Sequence, residues 1–514
     1  MFVVGPNFSR PSTGNIASVI DGARDGAAAL IARDNAVTYG ELRTRVDAFR
    51  HVLVTELGVR PGDRVAIIAP TSVLFVESYL AALGAGAVVV PLNPTAPAEE
   101  LQRELAAVGA RVVVVGPGGR AAYEAIDPLE VAVEHVVVPR GLDLSGASAL
   151  EDLVAAASGS TPVVARAAND SALAIFTAGT AGPSKAAVLS HGNVLANFEQ
   201  VQMSSGQAVL PNDVGFVALP CFHVFGLNVG LTLGLAMGIP LVLIERFDPS
   251  ATIEQIRRHG VTLIAAVPGM LSGWAALPEA DAEDFASVRL LISGGAPLPV
   301  PVAEAFERRF GVEVHEGYGL TEAAPVVTSS AGIERRLGSV GRVLPGVELR
   351  LVDEDDDVDP GDEGEVWLRG ANIFTGYFDD PVTTSRVLDS HGWLHTGDIG
   401  VLDEDGYLWL VDRSKDVVIV SGFNVFPADV EAVLLDHPSV AEAAVVGVDH
   451  PHTGQTVKAF VVMRDGAVSD EDELTQYCLT RMARYKAPTS IAFVSQLPRG
   501  LAGKVLRREL REVS

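Results

Sequence analysis

Short apolar runs of strand length alternate with helical patterns along much of this chain. Runs such as RVAIIA (64–69), AVVVPL (87–92) and VTLIAAV (261–267) are rich in β-branched residues, which favours buried strands. Helix-like stretches such as LFVESYLAALGAG (74–86) separate several of these runs. Strands that alternate with helices predict parallel, doubly wound sheets, so we expect an α/β fold.

The pattern changes twice towards the C-terminus. After about residue 337, short strands and turn residues such as VDPGDEG (358–364) predict a β-rich subdomain. The last hundred or so residues form a compact α+β pattern whose end is locally basic. We therefore predict a large N-terminal domain over 1–412, with its β-rich subdomain over about 337–412, and a small α+β domain over 413–514.

The 514-residue chain is strongly acidic, with a formal net charge of −27. This charge argues against broad nucleic-acid binding, which needs a basic face. The two cysteines, Cys221 and Cys478, match neither a zinc-binding spacing nor a disulfide framework, so we expect a reducing cytoplasm. The N-terminus shows no basic region followed by an apolar one, so we expect no signal peptide.

One segment, residues 214–244, carries no Asp, Glu, Lys or Arg and is long enough to span a membrane. Pro220 and Pro240 divide it into pieces of strand, helix and strand size, and His223 and Asn228 lie within it. Its flanks also lack a basic cluster. We therefore expect a buried core segment that lines a cavity, and no transmembrane segment.

The stretch FTAGTAGPSKAA has the small residues, hydroxyls and lysine of a loop that holds phosphate. Gly179 and Gly182 permit backbone turns that other residues avoid. The hydroxyls of Thr177 and Thr180 can donate hydrogen bonds, Lys185 offers a positive charge, and successive amides in such a loop form an anion-binding concavity. It is not the Walker pattern, because no glycine directly precedes the lysine. Taken alone, the stretch fits a flexible Gly/Ala turn after a strand equally well.

Seven further segments, in a fixed order, extend this pattern across nearly the whole chain. They are PCFHVFG (220–226), SGGAPLP (293–299), EGYGLTE (316–322), WLHTGD (393–398), DRSKD (412–416), SGFNVFP (421–427) and LAGKVLRREL (501–510). In this order they resemble the acyl-adenylate-forming superfamily, which includes acyl-CoA synthetases, adenylation domains of peptide synthetases and beetle luciferases. The resemblance implies ATP-dependent activation of a carboxylic acid to an acyl adenylate, followed by transfer to a thiol.

The resemblance also assigns residues to ATP and metal binding. Tyr318 matches the aromatic residue that stacks on adenine, Thr321 matches the hydroxyl at the α-phosphate, and Glu322 matches the carboxylate that helps to hold Mg2+. Asp398 matches the carboxylate that accepts hydrogen bonds from the ribose, with Arg413 as a second ribose contact. The remaining positions expected at the nucleotide are Gly294, Gly295, Ala296, Pro297, Glu316, Gly317 and Gly319.

Two lysines and one turn complete the implied mechanism. Lys504 matches the lysine that reaches the reacting carboxylate and the α-phosphate, where a placed cation stabilises developing charge. Lys415 matches the hinge of a mobile C-terminal domain. The resemblance implies that this domain rotates between the two half-reactions and exchanges Lys504 for the face formed by Ser421, Gly422 and Phe423, which borders the path of the thiol.

The acid is expected to lie in a pocket formed by Phe222, His223, Phe225 and Val229, with Met270 on a second segment of the same cavity. These stretches contain no arginine for a second carboxylate, so we expect a fatty or aromatic acid. His223 either gates this pocket or packs in its wall. The expected catalytic set is Lys504, Thr321, Glu322 and His223.

Coenzyme A is the expected thiol, because only residues 505–514 follow Lys504 and a carrier-protein domain would need more chain. An acyl-AMP ligase that serves a separate carrier protein stays open, as does a homodimer. A third alternative is a member that binds nucleotide or acyl ligand with impaired turnover, because the phosphate loop departs from the family's pattern. Two hydroxyls of that pattern are replaced by Ala178 and Ala181, and a glycine is replaced by Ala186.

Restoring the two hydroxyls with Ala178→Ser and Ala181→Thr is expected to lower the apparent KM for ATP. Each regained hydrogen bond contributes about 1 kcal/mol, which is about fivefold in affinity. Steady-state kinetics with varied ATP and a saturating acid measures the change, and the KM for the acid serves as the internal control. An unchanged or higher KM for ATP would mean that other residues compensate for the altered loop.

Overall fold

The computed structural model describes residues 8–33, 35–177, 184–204, 209–353, 356–413, 418–425, 427–464, 466–467, 469–498 and 510–511. Within these ranges the chain forms four β-sheets with helices packed between and around them. Two sheets are mainly parallel, one is antiparallel and one is mixed. The α/β fold expected from the alternating pattern is therefore confirmed.

An eight-stranded sheet contains the first group of apolar runs. In spatial order, its strands in the described ranges are Gly376–Tyr377, Lys185–Ser190, Ser171–Thr177, Val88–Leu92, Arg64–Ile68, Val112–Val115, His135–Val138 and Ser148–Ala149. The central strand Arg64–Ile68 pairs in parallel with a neighbour on each side. Its side chains from Val65 onward are buried, as are those of both neighbours. Parallel strands covered on both faces need continuous apolar runs, which is the pattern in the sequence.

A nine-stranded sheet contains the later apolar runs. Its strands, in the same part of the chain that the structure describes, follow the spatial order Arg342–Val343, Val326–Ser329, Val314–Gly319, Leu290–Ser293, Leu263–Ala266, Gly215–Val217, Leu241–Leu243, Ala28–Ala32 and Asn35–Thr38. The six strands from Val314–Gly319 to Ala28–Ala32 pair in parallel. Their carboxyl ends therefore lie along one edge of the sheet.

Two smaller sheets complete the described chain. The antiparallel sheet has the order Asp356–Asp357, Val347–Asp353, Glu363–Gly370, Leu394–Leu402 and Leu408–Arg413. The C-terminal sheet has the order Phe423–Val425, Val418–Val420, Gly454–Met463 and Val440–His450, with Ser490–Phe493 pairing in parallel to Gly454–Met463. These sheets agree with the β-rich and α+β patterns of the sequence. The domain boundaries 1–412 and 413–514 stay predictions.

Helices connect the strands and cover the sheets. The described α-helices are Tyr39–Thr55, Val73–Gly84, Ala98–Val108, Arg120–Glu124, Leu150–Ala156, His191–Met203, Leu233–Ala236, Pro249–His259, Pro268–Ala276, Val300–Phe310, Pro381–Val387, Pro427–Leu435 and Glu471–Leu479. Shorter 3-10 segments are Ile16–Ile20, Pro117–Gly119, Ala282–Phe285 and Thr321–Ala323.

The uncharged segment 214–244 forms strand, helix and strand, as its two prolines predict. Between strands Gly215–Val217 and Leu241–Leu243 it forms a π-helix, Phe225–Thr232, that continues as the α-helix Leu233–Ala236. The leucines of this helical stretch are almost fully buried. No helix among the described residues has both the length and the apolar character needed to cross a membrane.

Trp274 anchors the core on one face of the nine-stranded sheet. Its ring is fully buried and lies 5.4 Å, centroid to centroid, from the rings of Phe247 and Phe285. Its indole N–H donates a hydrogen bond of 3.0 Å to Oγ1 of Thr252. The indole thus has the polar partner that a buried tryptophan needs.

We expect Trp274→Ala to lower the free energy of unfolding by about 3–5 kcal/mol, because it leaves a cavity in the core and removes the hydrogen bond to Thr252. Urea unfolding followed by circular dichroism measures the transition that includes this core. Leu129→Ala is the control, because that side chain is 90% exposed and should change stability by no more than about 0.5 kcal/mol. A loss below about 1 kcal/mol for the tryptophan variant would show that this core tolerates the cavity.

Candidate active site

A cavity of about 1480 Å³ lies at the carboxyl ends of the parallel strands. Its wall is formed by the two parallel sheets, the antiparallel sheet and the C-terminal sheet. Ligands of open α/β sheets bind at this end of the strands. The predicted site residues that line the cavity are Thr177, Phe222, His223, Phe225, Val229, Gly294, Gly295, Ala296, Pro297, Glu316, Gly317, Tyr318, Gly319, Thr321, Glu322, Asp398, Gly422 and Phe423.

Tyr318 and Asp398 bring two sheets together in this cavity. Tyr318 lies in a strand of the nine-stranded sheet and Asp398 in a strand of the antiparallel sheet. The Tyr318 hydroxyl donates a hydrogen bond of 2.6 Å to Oδ2 of Asp398, and both residues are buried. The bond fixes an aromatic ring beside a carboxylate. This combination suits a nucleoside, because the ring can stack on the nucleobase and the carboxylate can accept hydrogen bonds from the sugar. The backbone of Arg413 pairs with Asp398, while its side chain lies outside the description.

Glu322 lies in the 3-10 turn Thr321–Ala323, directly after the strand that carries Tyr318. Oε1 of Glu322 accepts a hydrogen bond of 2.8 Å from the hydroxyl of Tyr377. In the part of the chain that the structure describes, no group of three or more His, Cys, Asp or Glu could hold a metal alone. Mg2+ at nucleotide sites takes one or two carboxylates together with phosphate oxygens and waters, so Glu322 fits a Mg2+ that arrives with a nucleotide.

Lys185 is held by the turn around Asp380. It begins the strand that follows the phosphate loop, and its Nζ lies 3.0 Å from Oδ2 of Asp380 and also contacts the Thr383 hydroxyl. Asp380 caps helix Pro381–Val387 through the amide N–H of Thr383. Hydrogen bonds from Thr383 and Lys185 hold the pKa of Asp380 at about 2, so it is ionised at neutral pH. A phosphate that recruits this lysine has to compete with Asp380.

The predictions for Gly179, Thr180, Gly182, Lys415 and Lys504 fall outside the described residues. Their roles stay predictions.

The two parts of the chain match known families. Residues 21–378 match the model described as AMP-binding enzyme, and residues 429–504 match the AMP-binding enzyme C-terminal domain. A long-chain-fatty-acid–CoA ligase of Escherichia coli O157:H7 is 35% identical over 94% of this chain and 91% of its own. A feruloyl-CoA synthase of Amycolatopsis sp. is 37% identical over 93% of this chain and 94% of its own.

The chain belongs to the AMP-binding enzyme family. The expectation of an ATP-dependent acid–thiol ligase of the adenylate-forming superfamily is thereby confirmed.

Solved structures share this fold and differ in how closely they match. The amide bond synthetase McbA from Marinactinospora thermotolerans has a TM-score of 0.87 at 32% identity, over 97% of this chain and 99% of its own. A double mutant of o-succinylbenzoate CoA synthetase (MenE) from Bacillus subtilis, bound to its product analogue OSB-NCoA, has a TM-score of 0.84 at 29% identity. MenE from Bacillus subtilis in complex with AMP has a TM-score of 0.69, with the same identity and the same coverage of 97% and 98%.

One end of this AMP-binding enzyme's cavity is apolar. His223 lies in its wall, where burial lowers the pKa of the imidazole to about 4, so the ring is neutral at pH 7. Its Nδ1 accepts a hydrogen bond of 3.3 Å from the backbone N–H of Phe225. The structure places His223 in the lining of the cavity, and its gating role stays a prediction.

Met270 is not brought to the cavity with the other predicted pocket residues. It is buried in the core, in the same cluster as Trp274. The cavity-lining residues of its helix are Pro268, Gly269 and Ser272. The reason is helical spacing, because residues four apart share a face and Met270 shares the core face of Trp274. The sequence identified this helix as part of the cavity wall, but it did not predict which face of the helix lines the cavity.

The turn Ser421–Phe423 brings the C-terminal sheet to the apolar end. Gly422 has a φ of +83°, and a Cβ there would lie 2.5 Å from Cγ1 of Val267, so the turn requires glycine. The ring of Phe423 stacks on Phe222 at 6.2 Å and on Tyr485 at 4.4 Å. Ser421, at a φ of +52°, donates its backbone N–H to the carbonyl of Thr453.

Several residues that line the cavity were missed by the sequence reasoning. They are Glu100, Glu104, Tyr377, His450, His452, Lys458, Tyr485 and Lys486. The signal available for Tyr485 and Lys486 was their place in the locally basic C-terminal region. Glu100 and Glu104 lie in an ordinary amphipathic helix far away in sequence, so no local signal marks them.

We expect Tyr318→Phe to raise the KM for ATP by about tenfold or more. The change keeps the ring and removes the donor to Asp398, and a hydrogen bond to a charged group contributes about 1.5–3 kcal/mol. Steady-state kinetics with varied ATP tests this. The control is Tyr123→Phe, which removes a tyrosine hydroxyl outside the lining of the cavity. A KM within twofold of the unaltered enzyme would show that the bond does not organise the nucleotide site.

Proposed function

We propose that the chain activates a monocarboxylic acid with an apolar body, fatty or aromatic, and passes the acyl group to coenzyme A. The observation that carries this substrate class is the apolar end of the cavity. Its described lining within 222–229, 268–272 and 292–302 includes no Asp, Glu, Lys or Arg, and the one histidine there, His223, is neutral at pH 7. An apolar wall favours an alkyl or aryl body, and it leaves a second carboxylate without a partner.

In the proposed adenylation half, one oxygen of the substrate carboxylate attacks the α-phosphorus of ATP and pyrophosphate leaves. Tyr318 and Asp398 hold the adenosine, and the hydroxyl of Thr321 donates to the α-phosphate. A Mg2+ ion, held by Glu322 together with the phosphates, would neutralise charge on the departing pyrophosphate. Lys504 is assigned the contact with the reacting oxygens, where a cation lowers the energy of the developing charge.

In the proposed thioester half, the sulfur of coenzyme A attacks the acyl carbon and AMP leaves. The position of the C-terminal sheet in the structure supports an arrangement suited to thioester formation. The MenE double mutant bound to its product analogue OSB-NCoA has a TM-score of 0.84 to this chain, and MenE in complex with AMP has 0.69, at equal identity and coverage. We attribute this difference in TM-score to the arrangement of the N-terminal and C-terminal parts. The contact of Phe423 with Phe222 at the apolar end agrees with a thiol path beside the acyl pocket.

A panel of acids tests the proposal. Octanoate, palmitate, benzoate, ferulate, 4-coumarate and malonate are each supplied with ATP and Mg2+, with and without coenzyme A, while pyrophosphate, AMP and thioester are measured. We expect pyrophosphate with at least one fatty or aromatic acid, coenzyme A-dependent thioester, and no turnover of malonate. Lys504→Ala is the matched variant and should lose pyrophosphate release while keeping thioester formation from supplied acyl adenylate.

Each alternative has its own outcome in this panel. Turnover of malonate alone would overturn the apolar substrate class. Pyrophosphate release without coenzyme A-dependent thioester would indicate a separate carrier protein as the acceptor. No pyrophosphate with any of the acids would favour a binding protein with impaired turnover.

A further inference from the structure

A buried ion pair joins the C-terminal part of the chain, which is the described residues from 418 onward, to the part that contains the eight-stranded sheet. Glu100 lies in the first turn of helix Ala98–Val108, and Lys486 precedes strand Ser490–Phe493. The ammonium of Lys486 contacts Oε1 of Glu100, and Oε2 accepts a hydrogen bond of 2.9 Å from the backbone N–H of Ala483. Glu100 is 4% exposed and Lys486 is 7% exposed.

The burial of this pair makes its contact depend on how the two parts are arranged. Taking either charge out of water is costly, and the partner offsets the cost only while the two side chains meet. An arrangement that separates them returns both charges to solvent or leaves one buried without a partner. A second pair across the same boundary, Glu99 with Arg481 at 3.8 Å, is much more exposed than the first and contributes little.

Two further acids surround the pair, and burial raises the pKa of both. Burial and the nearby charge of Glu100 raise the pKa of Glu104 to about 8, against the opposing charges of Lys486 and Arg103. Burial also raises the pKa of Asp429 to about 7, and one of its oxygens is buried without a hydrogen-bond partner among the described residues. Glu100 is the acid that contacts the ammonium of Lys486 directly.

Side-chain contacts link the pair to the apolar end of the cavity and to the segment that contains Lys185. Tyr485, next to Lys486 in sequence, stacks on Phe423, which in turn stacks on Phe222 at the apolar end. On the other side, Glu104 lies one helical turn after Glu100 and accepts a hydrogen bond of 3.4 Å from Ser184, directly before Lys185. When the pair is closed, the turn that carries Phe423 is held over the acyl pocket.

We infer that Glu100 and Lys486 are positioning residues that hold the C-terminal part in the arrangement used for thioester formation. This inference rests on the proposed function, because it assigns the described arrangement to the second half-reaction. Opening the pair is the step that releases the C-terminal part for adenylation. Neither residue touches the reacting atoms in this assignment.

The test separates the two half-reactions in Lys486→Met and Glu100→Gln. Adenylation is followed by ATP–pyrophosphate exchange, and thioester formation by mixing coenzyme A with the synthetic adenylate of the best acid in the panel. We expect thioester formation to fall about 10- to 100-fold in either variant, while exchange stays within threefold. The double variant should lose less than either single variant, because it leaves no buried charge unpaired. Arg481→Met, from the exposed pair, is the control and should change neither rate more than twofold.

A distance measurement tests the inference without turnover. Spin labels at Leu129→Cys and Asp472→Cys, both exposed, report the position of the C-terminal part, while the native Cys221 and Cys478 are buried. In the presence of AMP and coenzyme A, which cannot react with each other, the unaltered chain should give one main distance, and Lys486→Met should shift or broaden it.

Equal losses in both half-reactions, or an unaltered distance distribution in Lys486→Met, would overturn the inference. If Lys486→Met does not fold, Glu100→Gln, which keeps the shape of the side chain, is read by the same criteria. If no acid gives pyrophosphate, the proposed function fails, while the distance measurement with labelled protein still decides whether the pair holds the arrangement.

Discussion

Burial of both faces of two parallel sheets is the constraint on which the rest of this structure depends. Val65, Val89 and Val113 lie in adjacent strands of the eight-stranded sheet and are almost fully buried. Helices on both sides exclude polar side chains from the middle of such strands. Hydroxyls, carboxylates and glycines therefore collect where the strands end, as at Thr177 and in the stretch 316–322. The cavity lies at these ends, so the sheet topology determines its place before any chemistry is considered.

The sequence predicted the strands and the lining of the cavity better than it predicted how distant groups pair. Continuous apolar runs identify parallel strands directly, and the run 64–69 corresponds to the strand Arg64–Ile68. The face of a helix is harder to predict, because it depends on the sheet beneath, and Met270 was assigned to the cavity although it packs in the core. The pairing of Lys185 with Asp380 depends on the strand Gly376–Tyr377 lying next to the strand after the phosphate loop, which local patterns do not encode.

The nucleotide end is assembled from side chains that restrain one another. Tyr318 is oriented by its bond to Asp398, and Glu322 by the hydroxyl of Tyr377. Because each hydrogen bond joins residues from different elements, the geometry of the site depends on the packing of those elements. Such preorganisation reduces the reorganisation needed when charge develops during the reaction.

The charge balance of the cavity determines what must accompany the substrates. Lys185 is paired with Asp380 and Lys486 with Glu100, so two lysines of the region already have anionic partners. A triphosphate adds several negative charges to a chain whose net charge is −27. Electrostatic repulsion between the acidic protein and the triphosphate therefore opposes ATP binding, and local cations have to overcome it. A divalent metal carried by the nucleotide would supply two positive charges at once, and Lys504, in the role proposed for it, would supply a third. Under the inference drawn for Glu100 and Lys486, their contact would couple the position of the C-terminal part to the charge available at the phosphates.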